Sequence, residues 1–273
     1  MIAIGIIKDE FEHIYCLFCE EFGEFPLKFT DIKIWVINRS EYCFCYIKAL
    51  TDLQLTKQPS TDSLQKRSEE FRAEVLYSNK QAIILFNQEL SVAGSEIQKV
   101  LLHEMAHIYC YFINCAVGFN TQIVEENSKY VSIAKRMWRE CTAEYIVARI
   151  LGTNAFKHHE DDYLEFLGLF FRPEAFPEKL GYLFASILGS SPNIFEEKSL
   201  HSYSRFSIDM SRYGGKELSA AIDCLSITIA ERFMQNECFL FDEDFLDKLG
   251  YSISIFAFWY LEYYGQTNRF LEA

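Results

Sequence analysis

The chain has 273 residues, half of them hydrophobic and 16% aromatic, so it carries enough apolar surface to offset chain entropy, which excludes a disordered chain. Gly (12) and Pro (5) are scarce against a usual combined share of roughly 12%, which excludes collagenous and linker-rich architectures and favours a helix-rich globule. The net charge of −13 divides into −4 over residues 1–152 (16 basic, 20 acidic) and −9 over 153–273 (10 basic, 19 acidic). A field of that sign repels phosphate backbones, so neither nucleic acid nor an anionic membrane surface is an expected partner.

The opening MIAIGIIKDE lacks the basic region, long apolar run and cleavage site of a secretory signal, so a cytoplasmic protein is expected. The most apolar later run, Ile253 to Tyr260, is shorter than the roughly 18 residues a spanning helix needs. Nine cysteines without an export signal read as reduced thiols. Cys16 and Cys19 fall on a helical pattern and Cys43 and Cys45 on an alternating one, so all four read as small core hydrophobes and not as a zinc knuckle.

Residues 8–22 show a helical period that ends near Gly23 and Pro26. IKIWVIN (32–38) and EYCFCYIKAL (41–50) both read as strands. The polar TKQPSTDSLQKRS (56–68) reads as an exposed loop. EVLYS and QAIILFN flank Asn79 and Lys80 as a hairpin would, the second strand nearly all apolar. From Ser95 the period becomes helical, with Gln98 three residues on as a capping-box signal. A second helical pattern covers residues 128–150 and is closed by Gly152. The remainder stays helical, broken at Pro173, Pro177, Pro192 and Gly214-Gly215. These patterns predict a predominantly helical α+β fold, with residues 1–152 as a catalytic region and 153–273 as a helical C-terminal region.

His103-Glu104-Met105-Ala106-His107 is an HExxH inside the first of the two long helices. Residues four apart share a helix face, so both imidazoles reach one ion while Glu104, turned by about 100°, can touch a water on that ion. That is the arrangement of zinc hydrolysis, which needs a third protein ligand and an open position. No HxxGxxH follows, so a carboxylate is the remaining option. The second helix supplies Glu140 and Glu144, four apart among Trp138, Cys141, Ala143 and Tyr145. One would bind zinc and the other accept the Nδ1 hydrogen of a ligand histidine, with Glu140 preferred as ligand. For an oxyanion stabiliser, His201 and Tyr203 lie in a loop-like stretch where a solvated loop is the preferred reading, and Tyr109 and Tyr145 carry no stronger signal. His158 and His159, beside Glu160, Asp161 and Asp162, read as a solvated helix start.

HEMAH on one helix, followed on a second by a Glu with an acid four residues later, resembles the gluzincin clan of zinc metallopeptidases. The His107-to-Glu140 spacing is nearer to the cytoplasmic ImmA/IrrE-like peptidases than to thermolysin-like enzymes. The likeness runs over residues 82–152, with Glu144 where thermolysin-like enzymes carry Asp. It implies a zincin-like core, namely a small sheet, the HExxH helix and a Glu-bearing helix. It also implies that the strand before the active helix, Ala82 to Phe86, lines the cleft and pairs with an extended peptide. The expected function is then hydrolysis of a peptide or protein substrate, with zinc on His103, His107 and Glu140 and a zinc-bound water activated by Glu104 as general base. The reading from another class is a non-catalytic helical interaction protein with a structural or vestigial zinc.

Overall fold

The computed structural model describes residues 4–56, 58–89, 94–118, 129–151 and 239–271, with further residues between 216 and 233. These are mostly helical with one three-stranded sheet, and the chain forms two compact units, Met1–Ala116 and Val117–Ala273. Among the described residues no helix is long and apolar enough to cross a membrane.

In the first unit, helix α1 (Ile4–Phe22) buries Ile7, Phe11, Ile14 and Phe18 at helical spacing. It stops at Gly23, whose positive φ of 82° suits glycine and whose N–H returns to the Cys19 carbonyl at 3.0 Å. Strand β1 (Ile32–Ile37) follows as expected.

Residues 41–50, read as a strand, are instead helical: α2 spans Tyr42–Asp52. Asn38 and Glu41 form a reciprocal capping box over the turn Arg39–Glu41 that leads into it. Tyr42, Tyr46, Ala49 and Leu50 are buried at a helical period that the Cys-Phe-Cys-Tyr alternation concealed. The loop expected over 56–68 is likewise half helix, α3 (Thr61–Glu70), because the Ser60 hydroxyl accepts the Ser63 N–H at 3.3 Å. Its one apolar anchor, Leu64, is buried in the cluster formed with α2.

Strands β2 (Ala73–Tyr77) and β3 (Ala82–Asn87) form the expected antiparallel hairpin, and β1 adds in parallel on the other side of β3, giving the order β1-β3-β2. Every residue of β3 is buried, as a central strand covered on both faces requires. Ile83 and Leu85 join Leu76 and Ile37 against α2 and α3. By strand alternation Ala82, Ile84 and Phe86 face the opposite side, where Tyr77 of β2 packs on Tyr111 of helix α4 (Gly94–Ala116) with ring centroids 4.0 Å apart. Gln98 of α4 donates to Glu10 of α1 at 2.8 Å, and Tyr109 joins Phe18, Phe22 and Phe25 between these helices.

The second unit contains α5 (Lys129–Leu151), the expected second long helix, and α6 (Glu243–Leu271), with helical residues between 216 and 233. Trp138 of α5 is fully buried between Phe233 and Phe245, at 4.9 and 4.8 Å between centroids, and Tyr145 stacks on Phe233 at 4.4 Å. At Gly250 the backbone of α6 comes so near α5 that a Cβ would lie 3.2 Å from the Tyr130 carbonyl and the Val131 nitrogen. Gly152, the three prolines at 173, 177 and 192, and Gly214-Gly215 lie outside the described residues.

Candidate metal centre

Helix α4 is held rigidly around its motif. Leu101, Leu102, Met105, Ala106 and Ile108 are completely buried, so the helix cannot rotate without opening a packed core. His103 and His107, four residues apart, stand edge to face with ring centroids 4.6 Å apart. Their Nε2 atoms approach to 3.0 Å. Zinc–nitrogen bonds of 2.0–2.1 Å at a tetrahedral angle would separate two ligand nitrogens by about 3.3 Å. The pair therefore needs only a few tenths of an ångström to embrace an ion.

Helix α5 is buried on almost all sides from Met137 to Ala148, and Glu140 within it is only 5% exposed. Such a carboxylate requires a compensating charge. Arg139 supplies one: its Nε and Nη2 donate to Glu140 Oε1 at 3.3 and 3.1 Å. His103, His107 and Glu140 each offer one ligand atom, all within 4.8 Å of one another. Two neutral imidazoles and one carboxylate are a donor set suited to a divalent metal with an open coordination position. This group can hold a metal ion.

Glu104 is buried on α4 beside His103, 7% exposed. Glu144 is buried one turn after Glu140, and its charge adds to burial in pushing the Cys141 thiol well above its ordinary pKa. Tyr109 and Tyr145 are both built into aromatic packing, with Phe18, Phe22 and Phe25 in one case and Phe233 in the other. His158, His159, His201 and Tyr203 lie outside the described residues. Cys16 and Cys19 lie on α1 and Cys43 and Cys45 on α2. Among the described residues no three-ligand group includes them.

One expectation is overturned by the sheet. The segment Ala82 to Phe86 cannot pair with an extended peptide, because β3 is central and both its edges are taken by β1 and β2. The hydrogen-bonding capacity of a strand is exhausted by two neighbours. The contact of Arg139 with Glu140 was not legible beforehand either, since adjacent residues on a helix do not share a face and only the rotamer brings the guanidinium back.

No family model, curated protein or solved structure matches this chain.

Proposed function

We propose that this protein is a cytoplasmic zinc metallopeptidase with a zincin-like core, in which His103, His107 and Glu140 hold the metal and Glu104 is the general base. The reading is carried by one observation: two histidine Nε2 atoms 3.0 Å apart, with a Glu140 ligand atom within 4.8 Å. When bound, zinc would supply Lewis acidity, polarising a carbonyl and easing loss of a proton from water.

Glu104 accepts that proton as the water oxygen bonds to the peptide carbonyl carbon. It then delivers the proton to the amide nitrogen as the C–N bond breaks, so the two products leave as carboxylate and amine. His103 and His107 orient the metal from a helix that packing keeps from turning.

An extended peptide needs an exposed strand edge. Strand β2 is the natural choice in place of β3, since it lies at the edge of the sheet and its Tyr77 rests on Tyr111, one turn beyond His107. The test is Glu104→Gln assayed on a peptide mixture by mass spectrometry. The variant is expected to keep its metal and to lose about 10²–10⁴-fold in cleavage rate. Undiminished cleavage would remove the role of Glu104. A metal-loaded wild type that cleaves nothing would support the interaction-protein reading instead.

A further inference from the structure

We propose that the outer edge of β1, flanked by Phe44 and Ile47 of α2, is a docking site for an extended acidic peptide segment of a partner protein, which adds there as a fourth strand. The inference concerns the sheet edge opposite β2 and stands apart from the metal-site reading.

The register decides which backbone groups face outward. The Gln88 N–H donates to the Ile37 carbonyl at 2.8 Å, and β1 pairs in parallel with β3 so that Ile37 lies beside Asn87. In a parallel pair alternate residues aim both their N–H and C=O at the same neighbour. Lys33, Trp35 and Ile37 therefore bond to β3, while Ile32, Ile34 and Val36 turn their groups outward. The two ends of this outer row are engaged already: the Ile32 N–H donates to the Phe29 carbonyl, and the Asn38 N–H donates to Glu41 at 3.0 Å. Between them, the N–H and C=O of Ile34 and Val36 have no partner among the described residues. Pairing with β3 runs unbroken over all six residues of the strand, so neither proline nor bulge blunts the edge.

The surface beside this edge is apolar and basic. Lys48 Nζ lies 5.3 Å from the centroid of the Trp35 ring, which turns that face of α2 toward the strand. Phe44 shares the face, four residues before Lys48, and Ile47 borders it; they are 72% and 43% exposed. Residues 28–48 carry Lys28, Lys33, Arg39 and Lys48 against Asp31 and Glu41, in a chain whose net charge is −13. All four cations are exposed and none has a carboxylate partner among the described residues, whereas Glu41 is held by Asn38. In strand addition the main chain supplies affinity and the neighbouring side chains supply specificity. Lysines repel a basic strand and attract an acidic one, so the edge selects a segment that alternates acidic with apolar residues. They also disfavour a second copy, since pairing through β1 would bring Lys33 and Lys48 of both chains together around Trp35.

The test is fluorescence anisotropy of the full chain with a fluorescein-labelled peptide of alternating valine and glutamate, about six residues long. The control peptide carries lysine in place of glutamate, and circular dichroism checks the fold of each variant. Wild type should bind the glutamate peptide saturably and the lysine peptide not at all. Ile34→Pro removes one outward N–H, which an edge strand tolerates, and should weaken binding about tenfold or more. Phe44→Glu, at a position with no packing to lose, and the double variant Lys33→Glu with Lys48→Glu should each weaken it by a similar factor. Equal affinity in wild type and in folded Ile34→Pro or Phe44→Glu would overturn the proposal, as would equal binding of the two peptides or no binding of either below about 1 mM. A concentration-dependent dimer that Ile34→Pro abolishes would overturn it as well, assigning the edge to a second copy.

Discussion

The substitution Gly250→Ala sets two effects of known size against each other at the place where α6 meets the helix that carries Glu140. In a helix interior alanine is favoured over glycine by about 0.8–1.0 kcal/mol. Against this, the new Cβ would lie 3.2 Å from the carbon and oxygen of Tyr130 and from the nitrogen of Val131. All three are backbone atoms, which cannot swing aside as a side chain would, so the two helices must part by a few tenths of an ångström along their contact. Overpacking of this kind costs about 1–3 kcal/mol, which leaves a net loss of about 1 kcal/mol, or about 2–4 °C in Tm for a unit of this size. Thermal or urea unfolding followed by circular dichroism measures it. Gly5→Ala on α1 is the control, since nothing lies within 4 Å of its Cβ and no loss is expected. A Gly250→Ala protein as stable as wild type, or more stable, would refute the close approach of α6 to α5.

Leu64→Ala removes the one apolar anchor of α3 from the cluster shared with α2 and is expected to cost about 2–4 kcal/mol by urea midpoint; a change within error would mean that α3 does not dock. Tyr42 is fully buried with its hydroxyl donating to Glu74, which Arg67 also holds at 3.0 Å. Burial first, and then the Glu74 charge, push the Tyr42 phenol far above its ordinary pKa of 10.0. Above about pH 10 the unfolded chain has released this proton and the folded chain has not, so stability is constant below that pH and falls as pH rises beyond it. Tyr42→Phe should flatten that alkaline fall, leaving a smaller slope from Tyr46 and from Tyr111, the latter pushed up to about 12 by burial and by Cys115. An unchanged alkaline slope in Tyr42→Phe would contradict the assignment. Cys141, fully buried and with its pKa raised by burial and by Glu144, should react with thiol reagents only on unfolding, whereas exposed Cys16 and Cys115 react at once.

Where a segment's own pattern and its tertiary role agreed, the sequence was readable. The all-apolar Ala82 to Phe86 is a strand because it is covered on both faces, and residues 128–150 keep a helical period that burial on α5 explains. It misled where short-range pattern served two periods at once. Tyr42 to Tyr46 alternates like a strand, yet Tyr42, Tyr46 and Ala49 also repeat like a helix, and the Asn38–Glu41 box decides between them. In α3 the cap residue Ser60 was present, but a single leucine was too little apolar signal to outweigh nine polar neighbours. The His103 and His107 pair could be foreseen because helix geometry alone brings residues four apart together. The central position of β3 could not, since strand order depends on long-range pairing with β1 and β2 that no local pattern records.

Metal content is the most direct test of the central claim that His103, His107 and Glu140 form a zinc site. Protein purified without chelator would be analysed by elemental mass spectrometry as wild type, Glu140→Ala and Glu144→Ala. About one zinc ion per chain is expected in wild type and in Glu144→Ala, with most of it lost from Glu140→Ala. Equal zinc in all three proteins, or none in wild type, would contradict the account.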